Sequence, residues 1–203
     1  MKKILFLGLA ALVLWADQLS KWVVTEMLLR STLSEAGPPV SFPHWMLEAP
    51  ERLPFAQILL LPFFNLTMVW NQGISFGLLH SDSNDGPLIL SALSLIIVLF
   101  FLFWLRKSTS ALQSTAIAMI IGGALGNVMD RLRFGAVIDF LDFYAGGIHF
   151  PAFNLADSCV CIGVFLLIIP SFFIENRTKD ATTKPETHSG PPCNTTHDTG
   201  HTA

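Results

Sequence analysis

Charge is scarce in this chain of 203 residues, of which only 13% are Asp, Glu, Lys or Arg. Soluble domains carry roughly 25%. That shortage, with 52% hydrophobic residues and a mean hydropathy of +0.55, excludes an ordinary soluble domain and implies a membrane protein. A net charge of −3 and the absence of a basic stripe exclude nucleic acid as a partner. Three cysteines are too few for a disulfide or zinc framework. Cys159 and Cys161 lie in an apolar run and read as small hydrophobes, and Cys193 lies in a polar tail. The chain has no His-Glu-x-x-His, so a zinc peptidase does not find its residues here. No internal repeat is visible, and no metal or cofactor is expected.

What is present is apolar sequence in four stretches, over about 4–24, 87–105, 111–129 and 154–174. Each approaches the roughly 20 residues that a membrane-crossing helix needs. The first follows Lys2 and Lys3 but lacks a small-x-small cleavage site, so it reads as a retained helix and not as a signal peptide. Basic residues set the expected orientation. Lys2 and Lys3, Arg106 and Lys107, then Arg177, Lys179 and Lys184 all fall on one side of four spans, which places both termini in the cytoplasm. Arg131 and Arg133 fall on the outer side and need a local reason.

The first outer loop, about 25–86, contains Pro38, Pro39, Pro43, Pro50, Pro54 and Pro62, so much of it cannot be helical. Residues 63–70 are rich in strand formers and predict a short sheet lying on the membrane. A second, aromatic outer loop covers about 130–153. The end of the chain, 175–203, is polar and predicts a disordered cytoplasmic tail. His188, His197 and His201 in it read as solvated residues. The expected class is an all-α membrane protein of four transmembrane helices (domain 1–174) with a small extracytoplasmic β-sheet.

Polar residues interrupt this apolar sequence in five places. In Asp17-Gln-Leu-Ser-Lys21 the acid and the base are four apart on one helical face, so they can pair at the membrane edge. Asn71-Gln-Gly73 supplies turn geometry, and Asn71 can alternatively hydrogen-bond a substrate backbone. Gly122 and Gly126 form a small-xxx-small pair for close helix approach. Asn127, Asp130 and Arg131 follow on one helical face, and Asp130 is expected to pair with Arg131 or Arg133. Asp139 lies inside the apolar run Ala136-Val-Ile-Asp-Phe140 with only Asp142 nearby, a setting that raises a carboxyl pKa. Asn154 and Asp157 open the last span, where Asn154 can serve as a helix cap. Charged groups at membrane depth are expensive and mark functional sites. Two such acids that converge can share a proton, one acting as base and the other as acid.

These motifs resemble lipoprotein signal peptidase, the signal peptidase II family of bacterial cytoplasmic membranes. The residues that carry the resemblance are Asp17-Gln-x-Ser-Lys21, Asn71-x-Gly73-x-x-Phe76-Gly77, Gly122-Gly-Ala-x-Gly-Asn127-x-x-Asp130-Arg131, Val137-x-Asp139-Phe140 and Phe153-Asn154-x-Ala-Asp157-Ser158. The match spans about 4–174, and five motifs in order are specific where each alone is weak. The resemblance implies an aspartyl endopeptidase of the inner membrane with its site near the outer leaflet. It would cut a prolipoprotein just before a cysteine carrying a diacylglyceryl group, using membrane-borne substrate and lipid and acting as a monomer. It implies Asp139 and Asp157 as the catalytic acids. Asp130 is their rival, set aside because an arginine neighbour would hold it ionised. Asp17, Lys21, Asn71, Gly73, Asn127, Asp130, Arg131 and Asn154 are implied to support or contact the substrate. The first outer loop and the tail look longer than the family pattern. Proton transport and a structural membrane subunit are the competing classes. The absence of repeated halves weighs against transport, and a structural subunit predicts that Asp-to-Asn changes cost stability instead of turnover.

Overall fold

A computed structural model of the chain describes residues 2–73 and 85–182, with side chains over 3–73 and 85–168. Phe76 and Gly77 of the second motif, Cys193 and the tail histidines lie outside the described residues, as does the tail from 183 on. The chain divides into a body over Met1–Ile169 and a second unit over Pro170–Ala203.

Helix α1 (Lys2–Trp22) continues through a π-helical stretch, Val23–Leu29, and a 3₁₀ turn, Arg30–Thr32. A short helix α2 (Phe42–Glu48) follows, with Pro43 in its first turn, where a missing N–H costs nothing. Strands β1 (Gln57–Leu61) and β2 (Phe64–Asn71) form a hairpin. Helices α3 (Gly86–Lys107) and α4 (Ala111–Phe134) come next. Strands β3 (Val137–Ala145) and β4 (Ile148–His149) lead into α5 (Leu155–Thr182). The sheet is antiparallel in the order β1-β2-β3-β4.

Among the described residues, three helices are long and apolar enough to cross a membrane: Lys3–Thr32, Gly86–Lys107 and Ala111–Phe134. The apolar part of α5, Leu155–Ile168, is shorter among the described residues. The helix itself runs on to Thr182, past the expected end of the last span at 174. The sequence there, Glu-Asn-Arg-Thr-Lys-Asp-Ala, holds no proline to stop it. Helix α3 is apolar all round and leaves Leu93, Ile96, Leu99, Phe100 and Phe103 exposed, the surface expected of a lipid-facing helix.

Two apolar cores serve different ends of the body. One joins Ala10 of α1, Val98 and Leu105 of α3, and Ile117, Ala118 and Ile121 of α4. The other packs α2 onto the sheet, with Trp45, Leu53, Leu66, Met68, Phe134, Ile138 and Phe140. Helices α1 and α4 approach closely because Gly122 has no Cβ; one there would stand 2.5 Å from the Ala10 carbonyl oxygen. The small-xxx-small spacing thus acts on packing. Gly135, at φ 65°, ends α4 in the left-handed conformation and turns the chain into β3.

Candidate functional site

The period of strand β3 decides where its acid points. Ile138 and Phe140 enter the apolar core, so Asp139 between them faces the other side. There Asn71, at the end of β2, donates its side-chain amide to Asp139 Oδ2 at 2.9 Å. Asn71 can donate because its own oxygen is already occupied. Gly73 N–H donates to Asn71 Oδ1 at 2.8 Å, in a turn that Gly73 makes at φ 76°. The other Asp139 oxygen accepts from Asn154 Nδ2 at 2.8 Å. Asp139 is 2% exposed, and burial pushes its pKa up to about 7 despite these donors.

Asp157 lies in the first turn of α5. Asp157 Oδ1 accepts from Asn127 Nδ2 at 2.7 Å, and Oδ2 accepts from the Asn154 backbone N–H at 3.2 Å. Asn154 Oδ1 in turn accepts from Asp157 N–H at 2.9 Å. This reciprocal pair is a capping box. Asn154 therefore caps α5, as its position in the sequence allows, and in addition reaches Asp139. The charge of Asp157 also contributes to the raised pKa of Asp139, so the two carboxylates interact electrostatically.

Beneath the pair lies a buried polar network. Lys21 Nζ stands 2.8 Å from Asp17 Oδ2 and 2.6 Å from Asp130 Oδ2, and all three side chains are fully buried. A buried cation with two carboxylates is held only when its remaining donors are also used. Lys21 uses one on Asn127 Oδ1, at 3.2 Å. Asn154 Nδ2 also reaches that oxygen, at 3.1 Å. Both acceptor contacts leave the Asn127 amide nitrogen facing Asp157. Asp17 Oδ1 accepts from Ala156 N–H at 2.9 Å, which satisfies another free donor at the start of α5. Asp130 Oδ2 accepts from Ile138 N–H at 3.2 Å, next to Asp139 in the chain.

The expected pairing of Asp130 with Arg131 or Arg133 is not what the structure holds. Its ion-pair partner is Lys21, because the two groups face each other from neighbouring helices and Arg133 turns away to Gln18 and Trp45. Arg131 interacts electrostatically with Asp157, Asp130 and Asp139. Its Nε is buried without a hydrogen-bond partner among the described residues. Asp142, the acid nearest Asp139 in sequence, is taken up by Asn65, Thr67 and His149. Gln18 belongs to the first motif but escaped the sequence reading. An uncharged amide at a helix end carries no strong signal by itself. Among the described residues, no group of three or more His, Cys, Asp or Glu side chains could hold a metal.

The family model of signal peptidase (SPase) II matches residues 9–173. The chain belongs to the signal peptidase II family. A lipoprotein signal peptidase of Coxiella burnetii is 36% identical over 166 residues, covering 81% of this chain and 87% of the relative. One from Acinetobacter baylyi is 34% identical over 176 residues, covering 86% and 85%. One from Burkholderia vietnamiensis is 50% identical over 114 residues, covering 56% and 69%. A solved bacterial membrane enzyme, determined in meso at 2.3 Å, has a TM-score of 0.59 and 26% identity over 93% of this chain and 94% of its own. As a signal peptidase II the protein is a peptidase, and its apolar helices make it a multi-pass membrane protein.

Proposed function

We propose that this signal peptidase II is an aspartyl endopeptidase that cuts diacylglyceryl-modified prolipoproteins just before the lipidated cysteine, with Asp139 and Asp157 as its acids. The observation that carries the reading is their joint hold by Asn154, which donates to one through its side chain and to the other through its backbone. Asp139 is the more deeply buried of the two, so it keeps the shared proton. Asp157 sits at the positive end of a helix and takes a proton from water. The water oxygen then attacks the scissile carbonyl carbon. When the C–N bond breaks, Asp139 gives its proton to the departing amine, and the proton on Asp157 restores the pair for the next cycle. Each transfer of this kind contributes about 10²–10⁴-fold.

Arg131 is the remaining donor of the site. Its charge interacts with both acids, which suits a peptide carbonyl laid across them. The diacylglyceryl chains supply binding energy from the bilayer, at about 0.8 kcal/mol per buried CH₂. Helix α5 serves as the fourth span, and both termini face the cytoplasm. Lys3 donates to the Ser108 carbonyl and hydroxyl at 2.6 Å, which brings the start of α1 to the α3–α4 turn. The basic residues Arg106 and Lys107 end α3 there, as cytoplasmic loops require. The acids then lie at the opposite, outer end of the bundle.

The test uses purified full-length protein in lipid with a synthetic diacylglyceryl lipobox peptide, and the unlipidated peptide as control. Cleavage should require the lipid. Asp139→Asn and Asp157→Asn should each remain folded and cut nothing. Full turnover by either variant overturns the assignment.

A further inference from the structure

Arg133 stands outside the five motifs, yet its guanidinium is held by aromatic rings and by hydrogen bonds. Its guanidinium carbon lies 4.3 Å from the Trp45 ring centroid and 4.5 Å from that of Phe134, a cation held between two aromatic faces. One nitrogen donates to the Trp45 carbonyl. Another donates to Gln18 Oε1 at 3.0 Å. Trp45 belongs to α2, in the long segment between α1 and the sheet, and is 1% exposed.

Gln18 is fully buried, and its amide has two unlike ends. Every group near its nitrogen is an acceptor: Asp130 Oδ1 at 2.9 Å, Asp17 Oδ2 at 3.2 Å and the Gly126 carbonyl at 3.3 Å. A flipped amide would turn its oxygen onto two carboxylates and its nitrogen onto the Arg133 guanidinium, so the groups at both ends of the side chain favour one orientation. From Asp130 the effect reaches both acids over short links. Asp130 Oδ2 holds the Ile138 N–H, the residue before Asp139. Asp130 also holds Lys21, which orients Asn127 toward Asp157.

We propose that Arg133 is a positioning residue for the reaction, acting through the Gln18 amide on both acids, and that α2 is the latch that holds it in place. This rests on the acid-pair reading above. Substitution at Arg133 should therefore act on turnover and not on substrate capture.

The experiment measures kcat and KM of full-length protein in lipid on the diacylglyceryl lipobox peptide, per mole of folded enzyme. Arg133→Met should lower kcat about tenfold with KM changed less than twofold. Arg133→Lys keeps a cation within reach of Gln18 and should lower kcat only about threefold. In a Gln18→Leu background the same Arg133→Met change should cost nothing further, because the link it acts through is gone. An unchanged kcat in Arg133→Met, or losses that multiply in the double variant, overturns the proposal. Should Arg133→Met fail to fold, Arg133→Lys decides alone, and an unchanged kcat there overturns it. Asp139→Asn and Asp157→Asn run beside these variants: turnover in either sinks the acid-pair reading itself, whereas inactive Asp variants beside an unaffected Arg133→Met sink only this inference.

Discussion

Asn154 and Asp157 hydrogen-bond each other twice, side chain to backbone in both directions, at 2.9 and 3.2 Å. The geometry that starts α5 is thereby the geometry that aims Asp157. The same Asn154 amide reaches Asp139 at 2.8 Å, so one residue sets the relation between the start of a helix and the strand that precedes it.

Asn154→Ala should therefore fail in two measurable ways. Loss of the cap should cost about 1 kcal/mol of stability, read as a lower midpoint of thermal unfolding in detergent. Loss of the shared donor should lower kcat on the lipobox peptide by about 100-fold, within the range of one acid–base contribution. A variant that loses stability but keeps full turnover per folded molecule would separate the cap from the chemistry.

Acidity gives a second expectation. The pKa of Asp139 is raised to about 7, and in the proposed cycle this group must carry a proton. Activity should fall as pH rises through about 7, when that proton is lost. The Asn71 hydrogen bond favours the charged form and so lowers the pKa. Asn71→Leu should remove this effect and move the alkaline limb of kcat/KM to higher pH. A limb that moves down, or stays in place, contradicts the role given to Asp139. For stability the sign is the same: a carboxyl whose folded pKa lies above its unfolded value favours the folded state at low pH. That favour diminishes as pH climbs from about 4 toward 7.

Lys21 lies between two buried carboxylates and forms an ion pair with each. Lys21→Met leaves both without it, and breaking a buried pair this way costs about 3–5 kcal/mol. Chemical or thermal unfolding should show that loss. The triple change Lys21→Met with Asp17→Asn and Asp130→Asn should recover part of the stability, since no unpaired charge remains. Equal stability of Lys21→Met and the parent protein would mean that the three groups do not depend on one another.

Gly126 presses against the same cluster. A Cβ there would sit 2.5 Å from Asp17 Oδ2, closer than any side chain tolerates. Gly126→Ala should push Asp17 off Lys21 and the Ala156 N–H and destabilise the protein by about 1–3 kcal/mol. Gly8, where a Cβ meets nothing within 4 Å, provides the control: Gly8→Ala, inside α1, should not lower the unfolding midpoint and should raise it slightly.

The sequence by itself determined the class of molecule and marked the residues that are proposed to carry the chemistry. Apolar runs at membrane length and basic residues on one side are local properties of the chain, and so are the Asp17–Lys21 spacing of one helical turn and the strand-forming run before Trp70. Asp139 stood out because a charged residue inside an apolar pentapeptide needs a reason. Only the tertiary structure decided how those residues divide the work. Asp130 turned from the adjacent arginines to Lys21, Asp142 went to a separate cluster with His149, and Arg133 joined α2 to Gln18. Those outcomes depend on which helix faces come within hydrogen-bond reach, 100 or more residues apart in some cases. A buried polar group takes the partner that packing places beside it, and a neighbour in sequence is only one of the candidates.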